Sequence, residues 1–206
     1  MRGLYAITPE GAAGERLVAL AAAALAGGAV VLQYRSKSSD HAQALHDARA
    51  LRSVCRDHGA LFIVNDDPRL ALESEADGVH LGRDDAGLAA ARALLGRRII
   101  GVSCYDSLAL ARAAAAAGAD YVAFGSVFAS STKPAAVRAP LELFAQARHL
   151  RVPLVAIGGV TLDNAAQAIG AGADCVAVIS DLFSASDVKA RARAYADLFN
   201  RRKVPA

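Results

Sequence analysis

Short runs of apolar and β-branched residues recur eight times along this chain of 206 residues. The runs are LYAIT from Leu4, AVVLQYR from Ala29, LFIVN from Leu61, DGVHL from Asp77, IIGVS from Ile99, DYVAFG from Asp120, PLVAIGG from Pro153 and DCVAVIS from Asp174. Continuous apolar runs of this length, without strict alternation, are typical of strands that are buried on both faces, as in a parallel sheet. Such strands need helices to cover them.

The segments between the runs have helical periodicity. In one of them Ala44, Ala48, Leu51 and Cys55 share a face, after a cap at Ser39 or Asp40. The last segment repeats this spacing with Val188, Ala192, Tyr195 and Phe199. The shortest, from Pro68 to Glu75, has room for only about two helical turns at ~3.6 residues per turn.

An internal repeat indicates how these units are joined. AGADYVAFGS from Ala117 closely matches AGADCVAVIS from Ala171, and EADGVHLGR from Glu75 is a looser third copy. Each copy reads as a helix end, a turn and a strand, with Gly118 or Gly172 closing the helix at positive φ. Eight such units predict an α/β fold, a single (β/α)₈ TIM barrel over 1–206 with about 201–206 as a C-terminal tail. The alternative is an open doubly wound sheet, but that fold usually has a glycine fingerprint where this chain has Thr8-Pro9-Glu10.

Composition excludes several other classes. With 54% hydrophobic and 21% charged residues, the chain is globular rather than disordered. Its apolar runs are too short to cross a bilayer, its start lacks a signal-peptide core, and its three cysteines suggest no disulfide framework, so we expect a cytoplasmic protein. The net charge is +3, and the basic segment from Arg191 to Lys203 has the spacing of a solvated helix face. We therefore expect no membrane or nucleic-acid partner, and the sequence does not determine the oligomeric state.

Polar residues follow the predicted strands at their carboxyl ends, where TIM barrels carry their chemistry. Gln33, Arg35 and Lys37 alternate along one strand and should share a face, which makes a cationic cluster at the barrel mouth. The alternative is that Arg35 and Lys37 only neutralise internal acids at the barrel rim. Asp66 and Asp85 follow the next two strands, and two carboxylates beside cations suit Mg²⁺ bound to substrate phosphates. Either aspartate alone is more simply explained as a helix cap.

Two further loops suggest anion binding. Lys133 ends the segment ASSTK, which is either an ordinary loop or a lid that closes over an anion. Gly158 and Gly159 either bind a phosphate through backbone amides or simply permit a tight turn. Two phosphate-type sites at one mouth predict two small phosphorylated substrates. No nucleophile stands out, and His80 is better explained as a core residue than as a catalytic one.

The motifs YAIT, QYRSK, VNDDPRLAL, ADGVHLGRDD, GVS, ADYVAFGSVF, STK, AIGGV and AVIS occur in the order seen in thiamine phosphate synthases, and the chain resembles that family from Leu4 to about Ser180. The resemblance implies a (β/α)₈ barrel that joins a pyrimidine methyl diphosphate to a thiazole phosphate. It implies that the pyrimidine diphosphate is held by Gln33, Arg35, Lys37, Asn65, Ser103 and Lys133. It also implies Mg²⁺ at Asp66 and Asp85, Ser130 and Thr132 near the phosphates, and Gly159, Ile179 and Ser180 around the thiazole phosphate.

The resemblance further implies a mechanism in which the diphosphate ionises first and the thiazole nitrogen captures the resulting cation, with Arg35, Lys37, Lys133 and Ser103 at the reacting groups. Departures from the family pattern are Arg83, where Gln is common, and Asp67-Pro68, where Arg-Val is common. A related branch, the thiazole tautomerases, uses a His at the position of Tyr105 and tends to lack the acid at Asp66. A non-catalytic sensor of thiamine phosphates is the remaining alternative.

Overall fold

The computed structural model describes residues 1–82, 87–129 and 137–200. Its strands are β1 (Gly3–Ile7), β2 (Ala29–Tyr34), β3 (Leu61–Asn65), β4 (Gly78–Leu81), β5 (Ile99–Tyr105), β6 (Tyr121–Gly125), β7 (Leu154–Ile157) and β8 (Cys175–Val178). They pair in sequence order, all in parallel, and β1 pairs with β8 to close the barrel. The closed order confirms the predicted barrel and excludes the open sheet. The predicted tail, 201–206, lies outside the described residues.

The helices are α1 (Gly14–Ala26), α2 (His41–Asp57), α3 (Pro68–Glu73), α4 (Leu88–Leu95), α5 (Leu108–Ala116), α6 (Glu142–Ala147), α7 (Leu162–Ala171), α8 (Ser180–Phe183) and α9 (Val188–Asn200). Asp40 caps α2 by accepting a hydrogen bond from the Gln43 amide at 3.0 Å, as predicted. The periodic faces of α2 and α9 are buried, also as predicted. Within the described chain, no helix is long and apolar enough to span a membrane.

The strand residues divide into two apolar clusters. One lies between the strands and the helices and contains buried residues of both. The other contains no helix residue and consists mainly of alternate strand positions, among them Tyr5, Val31, Ile63, Tyr121 and Val155. Since neighbouring residues of a strand point to opposite faces, this second cluster fills the barrel interior.

The internal repeat has a structural role at the amino ends of the strands. The carboxylate of Asp77 accepts a hydrogen bond from the Phe62 amide at 2.8 Å, and the carboxylate of Asp120 accepts one from the Ile100 amide at 2.8 Å. Asp174 does the same with the Leu154 amide at 3.0 Å. Each carboxylate also pairs with an arginine. The three copies therefore fasten strand to strand at the end of the barrel opposite the mouth.

Candidate active site

The cations of the β2 loop meet at the rim. Arg35 and Lys37 both pair with one carboxylate oxygen of Glu10, which lies in the loop after β1. The Lys37 Nζ to Glu10 Oε1 distance is 3.1 Å. Hydrogen bonds from Lys37, and then from Arg35, lower the pKa of Glu10 below its ordinary value. The structure therefore brings Arg35 and Lys37 together at an exposed carboxylate of the rim, an arrangement that the neutralising alternative also predicts.

Strand alternation explains only part of the shared face predicted for Gln33, Arg35 and Lys37. Gln33 is an inward-facing residue of β2, only 3% exposed, but the strand ends at Tyr34. Beyond that point Thr8 holds the chain, because its Oγ1 accepts a hydrogen bond from the Arg35 amide at 2.9 Å. The loop after β1 therefore contributes as much to the placing of Arg35 as strand alternation does.

Two adjacent aspartates follow β3 and have different surroundings. Asp67 caps α3, since its Oδ1 accepts hydrogen bonds from the amides of Arg69 and Leu70, both at 2.9 Å. Asp66 takes a left-handed conformation, with φ of 64°, and its amide donates to the His80 carbonyl at 2.8 Å. The capping role proposed as the alternative for Asp66 thus belongs to Asp67. Asn65, the last residue of β3, borders a cavity of about 190 Å³ together with Tyr34 and Asp67.

A hydrogen-bonded chain of polar side chains crosses the barrel interior beneath the mouth. It begins at Gln33 and ends at Ser103 on β5, both of them predicted site residues. Between them lie Tyr5, Tyr121 and His80. His80 is buried, in agreement with its interpretation as a core residue, yet both of its ring nitrogens are hydrogen-bonded within this chain.

The other side of the mouth is formed by the ends of β7 and β8. Gly158 and Gly159 both have positive φ, of 94° and 67°. A Cβ on Gly159 would lie 2.2 Å from the carbonyl oxygen of Ala129, so close packing against the loop after β6 also requires glycine there. Ile179 precedes the short helix α8, which begins at Ser180. The structure therefore places the three predicted residues Gly159, Ile179 and Ser180 at neighbouring strand ends.

Several predicted site residues are not described. Asp85, Ser130, Thr132, Lys133 and also Arg83 lie outside the described residues. Within 1–82, 87–129 and 137–200, no group of three or more His, Cys, Asp or Glu side chains is arranged to hold a metal ion. The metal and lid predictions therefore stay predictions.

Sequence reasoning missed two features of the site. Glu10 was considered only as part of a loop that lacks a glycine fingerprint. Tyr5 and Tyr121 were assigned to strands without a polar role. A signal was present, since a tyrosine at an inward-facing strand position is buried and its hydroxyl needs a hydrogen-bond partner.

A closed parallel barrel with cations and a carboxylate at the carboxyl ends of its strands, above a buried polar chain, has the layout of a TIM-barrel enzyme. Residues 4–182 match the family model of thiamine monophosphate synthase. The chain belongs to the thiamine monophosphate synthase family, and it is an enzyme of that type.

Individual relatives agree with this assignment. A thiamine-phosphate synthase from Chromobacterium violaceum is 60% identical over 203 residues, which cover 98% of each chain. One from Methylobacillus flagellatus is 58% identical and covers 97% of this chain and 96% of its own. Among solved structures, a thiamine phosphate pyrophosphorylase from Pyrococcus furiosus is similar with a TM-score of 0.87 and 34% identity, covering 98% of this chain and 97% of its own.

Proposed function

We propose that this enzyme joins a pyrimidine methyl diphosphate to a thiazole phosphate, forming thiamine phosphate and releasing pyrophosphate. The named relatives, at up to 60% identity over nearly the whole chain, support the activity. The observation that carries the proposal is the meeting of Arg35 and Lys37 on one carboxylate at the barrel mouth. An arrangement that holds an exposed carboxylate between two cations suits a diphosphate.

The reaction needs charge stabilisation more than proton transfer. The bond between the pyrimidine methylene carbon and the diphosphate oxygen breaks, and its electron pair leaves with pyrophosphate. The lone pair of the thiazole nitrogen then forms the new C–N bond. No proton is removed from either ring in these steps, so no general base is required.

Arg35 and Lys37 stabilise the departing diphosphate in this proposal. Negative charge develops on the leaving oxygen, and cations fixed beforehand at that position lower the barrier. Removing one such preorganised group typically costs ~2.7 to 4 kcal/mol, a loss on the order of a hundredfold or more in rate. The diphosphate replaces Glu10 as the anion between the two side chains, and Lys133 contributes a further cation.

Mg²⁺ is the proposed cofactor, held by Asp66 and Asp85. The donor chemistry of Asp66 fits, because Mg²⁺ in phosphate-binding sites usually takes one or two carboxylates and completes its shell with water and phosphate oxygens. The adjacent Asp67 is used by the α3 cap. When bound, the ion neutralises charge on the leaving pyrophosphate.

The two substrates occupy neighbouring parts of the mouth. Gln33, Asn65 and Ser103 hold the pyrimidine side. Gly159, Ile179 and Ser180 hold the thiazole phosphate, and Ser130 and Thr132 lie near the bound phosphates. Binding both rings in line converts the capture step into a reaction within one complex, which favours capture over reaction with water.

The test is pyrophosphate release from the purified protein with both substrates, with and without Mg²⁺. We expect release that requires both substrates and the metal. Asp66→Asn should lower the rate on the order of a hundredfold, whereas the matched variant Asp67→Ser, which retains a capping oxygen, should leave it close to the wild-type value.

Other outcomes identify the alternatives. Tight binding of both substrates without pyrophosphate would identify a sensor. Aromatisation of a thiazole precursor without pyrophosphate would identify a tautomerase. Wild-type turnover in Asp66→Asn would refute the metal assignment.

A further inference from the structure

The buried chain beneath the mouth joins five strands through four hydrogen bonds. Gln33 Nε2 donates to the Tyr5 hydroxyl at 2.8 Å, and the Tyr5 and Tyr121 hydroxyls are 2.8 Å apart. His80 Nδ1 lies 2.9 Å from the Tyr121 hydroxyl, and His80 Nε2 lies 2.8 Å from Ser103 Oγ. This hydrogen-bonded chain therefore connects Gln33 and Ser103, the two residues assigned to the pyrimidine, through Tyr5, Tyr121 and His80.

The surroundings of the chain make its hydrogen bonds hard to replace. Tyr5 and Tyr121 are each 1% exposed and His80 is 7% exposed. The Tyr5 and Tyr121 rings pack edge to face, with centroids 6.0 Å apart. Gly101 of β5 makes room for Tyr121, since a Cβ there would lie 1.9 Å from the ring. A buried group that loses its partner here cannot turn to water instead.

Each tyrosine contributes one hydrogen to the chain. Burial raises the pKa of both Tyr5 and Tyr121 well above the ordinary tyrosine value, so both remain protonated phenols. Each phenol can donate only once. Since Gln33 donates to Tyr5, the Tyr5 hydrogen is available for Tyr121, and the Tyr121 hydrogen for His80 Nδ1.

The direction of these hydrogen bonds determines the tautomer of His80 and the hydrogen bonds that Ser103 can make. Because His80 Nδ1 accepts the Tyr121 hydrogen, the ring proton lies on Nε2, which donates it to Ser103 Oγ. Ser103 then has its own hydroxyl hydrogen available for a ligand, and Gln33 has its carbonyl oxygen available. The opposite direction requires the Gln33 amide to turn over, the His80 proton to move to Nδ1, and Ser103 to donate into the chain.

We propose that the Tyr5, Tyr121 and His80 side chains are positioning residues that set the hydrogen-bonding pattern of the pyrimidine site, with an acceptor at Gln33 and a donor at Ser103. The inference rests on the proposed function, in which Gln33 and Ser103 hold the pyrimidine. The pyrimidine that the family resemblance implies is a 4-aminopyrimidine, which offers amino N–H donors and ring-nitrogen acceptors. Replacing the amino group by an oxo group exchanges a donor for an acceptor, and a site with fixed polarity rejects that analogue.

The first test measures the polarity of the hydrogen-bonded chain, that is, the direction in which its hydrogen bonds run, without substrate. NMR of protein labelled with ¹⁵N-histidine distinguishes the two neutral tautomers from each other and from imidazolium, and the His80 signals are assigned by their loss in His80→Gln. We expect a proton on Nε2 and none on Nδ1, and an altered tautomer ratio in Tyr121→Phe. A proton on Nδ1 in the wild-type protein, or a ratio that Tyr121→Phe leaves unchanged, would overturn the proposal.

The second test reads specificity. Tyr121→Phe should raise KM for the pyrimidine diphosphate about tenfold, as expected for one buried hydrogen bond, and should reduce discrimination against the 4-oxo analogue. KM for the thiazole phosphate should stay within about twofold, because the hydrogen-bonded chain does not include the residues assigned to that substrate. A change of about twofold is well below the effect of one hydrogen bond. Tyr5→Phe is a second variant that breaks the same chain.

Tyr195→Phe is the matched control. Its hydroxyl is also buried, but it donates to Asp181 at 2.6 Å, and Tyr195 belongs to the cluster between strands and helices. This variant should leave KM for the pyrimidine diphosphate and the His80 tautomer unchanged. Equal changes in KM in Tyr121→Phe and Tyr195→Phe would indicate general loosening of the fold and would refute a positioning role.

The two proposals fail in different ways. If no pyrophosphate is released by the wild-type protein, the proposed function fails, while the tautomer still reports the chain polarity. If pyrophosphate is released normally and His80 carries its proton on Nδ1, the function stands and the polarity is wrong.

Discussion

Asp174 offers a direct test of what the internal repeat does. Its Oδ2 accepts a hydrogen bond from the Leu154 amide at 3.0 Å, and Arg148 Nη1 lies 3.2 Å from its Oδ1. The Asp174 side chain is 17% exposed, whereas that of Arg148 is 51% exposed. Asp174→Ala leaves an amide at the start of β7 without its charged acceptor, which costs about 1.5 to 3 kcal/mol, and loses an exposed ion pair worth about 0 to 1 kcal/mol.

The expected loss is therefore about 1.5 to 4 kcal/mol in the free energy of unfolding, which lowers Tm by about 3 to 16 °C for a chain of this length. Scanning calorimetry of the folded protein measures it. Arg148→Ala is the matched control, because it removes the ion pair but keeps the amide acceptor, and it should cost about 0 to 1 kcal/mol. If the two variants lose equal stability, the hydrogen bond to the Leu154 amide is not what fastens the strands.

Three further predictions concern the rim and the core. Glu10→Gln should lower KM for the pyrimidine diphosphate severalfold, because it removes the anion that competes for Arg35; a higher KM would contradict this role. The lowered pKa of Glu10 keeps its carboxylate charged into moderately acidic solution. The difference in KM between Glu10→Gln and wild type should therefore persist there and disappear only below the ordinary pKa range of glutamate, as steady-state kinetics across pH would show. Burial raises the pKa of all three thiols, Cys55, Cys104 and Cys175, to about 12, so iodoacetamide at about pH 8 should react slowly with the folded protein and rapidly once it is unfolded. Fast labelling of the folded state would disprove their burial. Gly101→Ala should lower Tm and raise KM for the pyrimidine diphosphate together, since the new Cβ displaces Tyr121, and an unchanged Tm would show that the ring can move freely.

The sequence predicted the strands well because each is a continuous apolar run. Such a run can be recognised from its own residues, without information about the strands that pair with it. The same holds for the buried faces of α2 and α9, where the spacing is a local property of the chain. The prediction for the β2 end held less fully, because the strand stops at Tyr34. Past that residue the position of Arg35 depends on Thr8, a contact across 27 positions that no local pattern contains.

The two adjacent aspartates after β3 are a second case that the sequence alone did not decide. An aspartate suits either a helix cap or a metal ligand, and the sequence left both roles open for Asp66. The cap on α3 goes to Asp67, because its carboxylate is the one within 2.9 Å of the Arg69 and Leu70 amides. Backbone conformation decides this, since Asp66 has positive φ and Asp67 does not.

By itself the sequence determined the number and order of the βα units, and therefore which residues stand at the carboxyl ends of the strands. That information is local, because hydrophobic period and turn residues act over a few positions. Closure of the barrel decided the rest. It brought Tyr5 of the first strand against Tyr121 of the sixth, and so connected Gln33 to Ser103. Only the tertiary structure settles such contacts, because hydrogen bonds between inward-facing side chains depend on which strands lie opposite each other across the interior.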